Sequence, residues 1–590
     1  MSKWILQYKS ADFNKISELF SIDPILARII RNRGYISEKE IDIFLNAKRS
    51  DMYDPFQLKD MQIAVDIINE KIRNHSKIRI IGDYDIDGVC ASYIMYQGIY
   101  QSGGKVDIVI PERIKDGYGL NERLIIEAEQ DGIDTIITCD NGIAAASSIA
   151  LAKSKNMTVI ITDHHEIPFI KSKRGVKYIL PNADAIINPK QKDCNYPYKG
   201  ICGALVAYKV IDALYKKNDT KQELLEELLG FAAFATIGDV MELVDENRIV
   251  VKEGLPILSK TKNMGLKALL SVCNMNGKML SPYHIGFILG PCINAAGRLD
   301  SAMKAINLFM STDQEVTYKL ALELKDLNEE RKKITSEGLE HAFTYIALNA
   351  MEEDFVLVVY LEDCHESIAG IIAGRIREIY KKPTFVLTKT EQGVKGSGRS
   401  IDAYHMYEKM NECKELLDKY GGHKAAAGLS IKQENIVPFR KALNEKCELT
   451  KDDLQEIVRI DLEVPLSYFT IAVIKQFEKL EPFGFGNRKP VFAQKKMKVI
   501  QGKRIGQNGK VQKFIVEDAT GFRTELISFK EESEIRKQWD DNFEDGSFEK
   551  LLLGSKEEKI IHILYYPTIN QYAGRERIQF ILEDFISERT

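Results

Sequence analysis

Three carboxylates at alternate positions, Asp83, Asp85 and Asp87, sit in the segment 77–95 (KIRIIGDYDIDGVCASYIM) where an apolar run gives way to a helix-like stretch. Anions this close repel one another and lose solvation unless a cation neutralises them. Hard oxygen ligands at a strand end therefore suit a divalent metal. A solvated acidic turn is the competing reading. The later ligands and closing glutamate of an EF-hand are missing. More candidates follow: Asp140 in TIITCDNG, Asp163, His164 and His165 in TVIITDHH, and Asp239 in FATIGDVMEL. Singly, Asp140 would serve as a helix cap, the histidines as surface groups and Asp239 as a helix-end charge. Jointly they predict one cleft, because open α/β sheets gather strand-end residues at a switch point. Carboxylates plus one imidazole suit two ions of Mn²⁺ or Mg²⁺, with Mn²⁺ preferred once nitrogen joins the shell. Two ions sharing a carboxylate sit about 3.5–4 Å apart and clamp both the attacking and leaving oxygens of a phosphoryl centre. Phosphodiester hydrolysis is the natural reaction class.

The elements that must position these residues are legible from periodicity. Short apolar runs at 78–81, 106–110, 135–138, 158–161 and 185–187 alternate with helical segments. That pattern predicts a doubly wound, mostly parallel sheet over 76–310. Residues 1–75 read as short helices with a break at Asp54-Pro55. Residues 311–351 read as one long helix, capped by Ser311 or Thr312, with a solvated, charged middle at 325–333. A long, partly exposed helix predicts a bridge between domains. A second α/β block follows at 352–450, and 451–590 is β-rich, as expected of a small barrel. Within it, 531–558 is charged and poor in pattern and reads as an insertion or mobile loop.

The chain has 590 residues, 44% apolar and 28% charged, which predicts a globular protein of about four domains. No apolar run is long enough for a bilayer, and the first residues lack a signal-peptide core. The 9 cysteines form no CxxC pair, which argues against a zinc ribbon and for a reducing cytoplasm. The formal net charge of -4 means that nucleic acid must meet a local basic surface.

DYDIDG, CDNG, TDHH and GDVMEL, in this order, resemble the four motifs of the DHH phosphoesterase superfamily. IPERIKDGYGLN (110–121), the stretch 188–210, GPCINAAGRLDSA (290–302), GSGRS (396–400), GGHKAAAG (421–428) and LEPFGFGNRKPVF (480–492) are similar to RecJ-type single-stranded-DNA-specific exonucleases. The resemblance implies Asp85, Asp87, Asp140, His164 and Asp239 as metal ligands, with Asp140 bridging and Asp83 beside them. His165 would face the scissile phosphate and Asp163 orient a histidine. It implies 5′→3′ digestion to 5′-mononucleotides, in repair and recombination. The 352–450 block would be the DHH-associated domain. There Ser397 and Arg399 would hold the 5′ phosphate, with Arg298 and His423 facing the same cleft. GSGRS and GGHKAAAG themselves read as glycine-rich turns suited to an anion. The tail would be an OB-fold, in which Lys495, Lys496, Lys498, Lys503, Arg504, Lys510 and Lys513 interleave with Phe492 and Phe514 as a basic groove with aromatic platforms. A RecQ-like helicase and a single-strand-binding protein are the implied partners, and a monomer is expected.

The sequence departs from the family in places. Cys292 replaces an arginine, Cys364 replaces a tryptophan, Ser367 occupies the following turn, and VQKF lacks a histidine. The rival functions are a phosphodiesterase for short oligonucleotides or cyclic dinucleotides, a non-enzymatic scaffold, and a plain single-strand-binding protein. The tail argues against the first, the full ligand set against the second, and the acidic cleft against the third.

Overall fold

Five short strands rich in isoleucine, valine and threonine form the sheet that carries the acids: β1 (Lys77–Ile81), β2 (Lys105–Val109), β3 (Thr135–Cys139), β4 (Thr158–Thr162) and β5 (Ala185–Ile187). Branched side chains fit a sheet covered on both faces. All pairings are parallel, in the order β2-β1-β3-β4-β5. The order reverses between β1 and β3, so the switch-point crevice opens at their carboxyl ends. Helices α1 (Ile86–Gln101), α2 (Gly203–Asn218) and α3 (Glu223–Gly238) are buried on most faces and share the main core with β1 and β3. Helix α4 (Gly290–Leu299) packs on α5 (Gln314–Leu348).

This is a computed structural model; it describes residues 2–588 except 118, 173–174, 220–222, 392, 507–510, 555–557 and 573. Lys510 and the tyrosine of GYG, Tyr118, lie outside the described residues. The chain divides into two units, Lys48–Gln455 and Met1–Ala47 with Glu456–Thr590.

The cap of α5 is Asp313, not Ser311 or Thr312. Its carboxylate accepts the Glu315 and Val316 amides at 2.8 and 3.0 Å. A carboxylate meets the positive helix end better than a hydroxyl does. The middle of α5 is not all solvated: Asn328 is buried, and Lys325 donates to the Val272 carbonyl at 2.9 Å.

The second α/β block of the larger unit is a five-stranded mixed sheet. It contains β6 (Leu357–Tyr360), α6 (Glu366–Tyr380), β7 (Thr384–Thr390), β8 (Gly393–Arg399), β9 (Leu417–Gly422) and β10 (Ala426–Ile431), with strand order β9-β10-β8-β7-β6. GSGRS is therefore a strand rather than a turn. Side chains on Gly396 and Gly398 would collide with Leu387 and with Phe385 and Met406 in the core. Alternation then puts Ser397 and Arg399 on the opposite face. GGHKAAAG spans the β9–β10 hairpin, with His423 in its turn.

In the smaller unit, strands Phe492–Ile505, Val511–Glu517, Arg523–Ser528, Arg575–Ser587 and Lys559–Tyr572 pair in a ring, closed by the first with the last. The N-terminal segment is more than short helices: Lys3–Leu6 pairs in parallel with Ile457–Ile460. Leu26, Ile29, Ile30 and Phe44 join the barrel's own core. The 531–558 stretch is not patternless either. Helices Glu532–Asn542 and Ser547–Leu552 bury Ile535, Trp539, Phe548 and Leu551 in that core. A few apolar residues on two short helices leave a weak periodic signal amid many charges.

Candidate active site

The acids meet beyond the carboxyl ends of β1, β3 and β4, joined by the end of α3. Asp85 caps α1, its Oδ1 accepting the Asp87 and Gly88 amides at 2.9 and 3.1 Å. Asp87, in the first turn of α1, is held by the N-terminus of α2, accepting the Gly203 and Ala204 amides at 2.6 and 2.7 Å. A helix N-terminus is a natural partner for a carboxylate. Gly203 also lets the chain pass Asp140, because an added Cβ would come within 2.6 Å of the Asp140 Cβ. Asp140 has a φ of 64° and caps no helix. Its neighbour Asn141 ties the strand ends together, donating to the Ile81 and Cys139 carbonyls at 3.0 and 2.9 Å.

Asp163 organises the histidines. Its Oδ1 takes the His164 and His165 amides at 2.7 and 3.0 Å and lies 2.8 Å from His165 Nδ1. Its Oδ2 takes the Ile143 amide at 2.9 Å. Despite burial, these bonds hold Asp163 below the ordinary carboxylate range. Burial would lower the His165 imidazole, but Asp163 raises it to about 9. His164 Nε2 lies 3.1 Å from Asp140 Oδ1, 3.5 Å from Asp87 Oδ2 and 3.9 Å from Asp239 Oδ2.

Potential ligand atoms of Asp83, Asp85 and Asp140 lie within 4.8 Å of one another, as do those of Asp87, His164 and Asp239 and those of Asp140, His164 and His165. The donors thus form two neighbouring groups, with Asp140 between them. Burial, then repulsion from Asp85, raises Asp83 well above the carboxylate range. Burial and then Asp87 push Asp85 up. Burial and the surrounding aspartates raise Asp140 well up as well. Burial followed by Asp87 and Asp85 moves Asp239 to about 8. Asp83 Oδ1 is buried with no hydrogen-bond partner among the described residues. Oxygen donors, crowded like charge and an orphaned oxygen fit a pair of hard divalent cations.

A cation cluster adjoins the acids. The Arg113 guanidinium stands 4.5 Å from the centroid of the Tyr84 ring, between Asp83 and Asp85 in the chain. Gly297 of NAAGR lies against the Tyr84 carbonyl so closely that no side chain fits. Asn294 Oδ1 takes the Ile86 amide at 2.8 Å. Arg298 donates to the Ser367 carbonyl at 2.7 Å, and Ser367 Oγ donates back to the Arg298 carbonyl at 2.8 Å, fastening the two α/β blocks together. Burial, then Arg113 and Arg399, lowers Arg298 to about 10. Burial and Arg113 lower Arg399 too. Mutual repulsion among Arg113, Arg298 and Arg399, none in a salt bridge among the described residues, marks a place for an anion. Ser397 and Arg399, both on β8, pack against α6, where Gly370 leaves room for both side chains. His423 is exposed, and Arg399, His405 and His165 are among its electrostatic neighbours.

The structure brings the acidic and imidazole candidates of the sequence together as neighbours. Sequence reasoning did not single out Arg113, Tyr84 or the α2 amides. The signals were present in IPERIK and GICGAL, but nothing local says that they meet the acids. Cys292 is buried, donating to the Ile288 carbonyl at 3.3 Å. The barrel differs from the expected aromatic groove: Phe492 and Phe514 are core residues, because their strand positions face inward. Lys495, Lys496 and Lys513 pair with Glu463, Glu588 and Glu525, Lys498 with Glu558, and Arg504 with Glu532 and Glu549.

Residues 77–236 match the DHH family N-terminal domain, 353–449 the DHHA1 domain and 460–584 the RecJ OB domain. The chain is 33% identical over 587 residues to the single-stranded-DNA-specific exonuclease RecJ of Bacillus subtilis (strain 168), covering 99% of this chain and 70% of that protein. The fold matches RecJ of Thermus thermophilus in complex with Mn²⁺, with a TM-score of 0.80 at 24% identity, over 100% of this chain and 80% of the other. A manganese-bound exonuclease RecJ matches with a TM-score of 0.57 at 29% identity, over 67% and 96%.

Proposed function

The chain belongs to the RecJ family of single-stranded-DNA-specific exonucleases, and from that premise we propose how its residues divide the work. It is a metal-dependent hydrolase of single-stranded DNA, using Mn²⁺ or Mg²⁺. We infer 5′→3′ digestion that releases 5′-mononucleotides. The observation that carries this reading is the adjacency of two opposite charge clusters: the buried acids Asp83, Asp85 and Asp140, and Arg113 against Tyr84, the residue between the first two, with Arg298 and Arg399 as its electrostatic neighbours.

Asp85, Asp87, Asp140, His164 and Asp239 would hold two ions, with Asp140 between them and Asp83 at the edge. Bound there, the ions would polarise the phosphodiester and make an attacking water more acidic. The protein does the positioning. The α2 N-terminus fixes Asp87, and Asp163 holds His165 through Nδ1, so that its Nε2 would donate to a nonbridging phosphate oxygen. Arg113, Arg399 and Ser397 take the 5′-terminal phosphate, which sets the strand one nucleotide from the acids. An end anchor of this kind favours removal of single terminal nucleotides over internal cutting. Arg298, held by Ser367, keeps the cleft narrow. The barrel, which matches the RecJ OB domain, would add affinity for the strand.

A RecQ-like helicase and a single-strand-binding protein are the partners that would supply the strand, in the cytoplasm, during repair and recombination. No helix among the described residues is long and apolar enough to cross a membrane. The test uses strands labelled separately at each end, with Mn²⁺, Mg²⁺ or EDTA. Metal-dependent release of 5′-mononucleotides from the 5′ end is the expected result. Release from the 3′ end would overturn the direction, and cleavage of a cyclic dinucleotide alone would overturn the substrate.

A further inference from the structure

Beyond Ser397, the same face of the second sheet opens into a cavity of about 490 Å³. Strand register builds its floor. Ser397 on β8 is opposite Gly428 on β10, which is opposite Gly421 on β9. A Cβ added to Gly421 would meet nothing within 4 Å, and one added to Gly428 only the Gly396 carbonyl oxygen at 3.9 Å. The row that starts at Ser397 therefore continues as bare backbone. Two residues along the strands, about 7 Å away, the next row on this face is Lys395, Ser430 and Lys419, with Thr388 of β7 opposite Lys395. Tyr84 and Arg113 form the facing wall.

The charge of this space is uneven. Among the described residues, Arg113, Lys395 and Lys419 line it against a single carboxylate, Glu366, which Lys395 already engages at 2.9 Å. Lys419 is exposed and makes no salt bridge among the described residues. The volume is that of a site for a small molecule, where ligand pockets run to about 300–1,000 Å³. One terminal phosphate on Ser397, Arg399 and Arg113 leaves most of it open. The open part runs away from the acids, over glycine, to a row of two lysines and a serine.

We propose that this cavity receives the outer phosphates of a 5′-polyphosphorylated strand, so that the enzyme accepts a 5′-triphosphate end. The inference rests on the 5′-end reading above. The α-phosphate keeps the place of a simple 5′ phosphate, the β- and γ-phosphates pass over Gly428 and Gly421, and Lys419 and Lys395 meet the terminal charge. The reaction is unchanged. Water adds to the phosphorus of the first internucleotide linkage, the bond to the 3′-oxygen breaks, and that oxygen leaves with a proton. The phosphate attacked stays on the shortened strand as its new 5′ phosphate. The anhydride bonds are untouched, so the first product is a nucleoside 5′-triphosphate and every later one a monophosphate.

The experiment compares one DNA sequence carrying a 5′-triphosphate, a 5′-monophosphate or a 5′-hydroxyl, digested by the full chain with Mn²⁺. Products are resolved by anion-exchange chromatography and mass. The triphosphate strand is expected to be digested, with a nucleoside triphosphate as first product. Lys419→Ala should raise KM for that strand about tenfold, the scale of one charged hydrogen bond, and leave the monophosphate strand unchanged. Gly421→Leu, which fills the floor without backbone strain, should do the same by exclusion. The proposal is overturned if the wild type digests the monophosphate strand but stalls on the triphosphate. It is equally overturned if both variants treat the two strands alike, as they would if the cavity held a base. Failure to digest even the monophosphate strand from its 5′ end would sink the end-binding reading first, and this inference with it.

Discussion

Asp83, Asp85, Asp87, Asp140 and Asp239 crowd into a cleft where no lysine or arginine forms a salt bridge with them among the described residues. On the barrel, by contrast, Lys495, Lys496 and Lys513 each stand within 3.1 Å of a glutamate at the surface. Both regions are clusters of charge, and the chain treats them oppositely. Buried like charges destabilise a fold unless something outside the chain compensates them. Exposed pairs contribute about 0–1 kcal/mol each and exchange readily for other counter-ions. The first arrangement is built for a specific ligand. The second suits weak, exchangeable counter-ions.

Removing the centre of the buried cluster should have the largest effect. Asp140→Ala is expected to lower kcat by about a thousandfold or more, with a far smaller loss of strand binding, since it removes charge stabilisation of the transition state. Near-normal turnover would take Asp140 out of the site. Next comes the arginine cluster. Arg399→Ala should raise KM about 10- to 100-fold for a strand with a 5′ phosphate, the scale of one or two charged hydrogen bonds. The same loss on a 5′-hydroxyl strand would show that Arg399 does not read the end.

The residues 48–455 have their own cores, and the N-terminal 47 residues pack with the barrel. A fragment of 48–455 should therefore still hydrolyse short strands. Its affinity for long ones should fall about tenfold, with a shallower salt dependence, because fewer phosphates are neutralised. Unchanged affinity and salt slope would remove the barrel from the binding surface.

A smaller effect tests the repulsion itself. In EDTA, Asp239 titrates near 8 in the folded state and in the ordinary carboxylate range when unfolded. The folded protein then binds the extra proton between those limits, so metal-free stability should fall as pH rises towards 8. Asp239→Asn should flatten that fall and raise the melting temperature at pH 8 by a few degrees, an order that Mn²⁺ reverses. A lower melting temperature for the variant in EDTA would mean that Asp239 is not repelled. The smallest effect should come from Lys496→Ala, under about twofold on affinity because its charge is already paired. Lys503, without a salt bridge among the described residues, should matter more than Lys496; the reverse order would count against reading these lysines by their pairing.

Much of this was legible in the chain. The strands of the first sheet coincide with the apolar runs, because a covered parallel strand needs apolar residues on both faces. The second block was harder. GSGRS looked like a turn because glycine permits turns, yet here glycine is needed for room: β8 lies against Leu387 and Phe385. Phe492 and Phe514 looked like platforms because aromatic residues among lysines suit nucleic acid, and strand alternation turned both inward.

By itself, the sequence determined the inventory and the order: the acids and imidazoles, their places after strand-forming runs, and the long helix between two α/β blocks. Those follow from local chemistry, since alternation and periodicity are written in neighbouring residues. Tertiary structure alone decided which charges are compensated. It set the α2 amides on Asp87, left Asp140 among other acids, brought Arg113, Arg298 and Arg399 together from three distant segments, and gave the barrel lysines their glutamates. Pairing depends on which surfaces pack and in what register, and one residue of register exchanges the two faces of a strand. The row of Ser397, Gly428 and Gly421 exists only in that register, and so does the cavity above it.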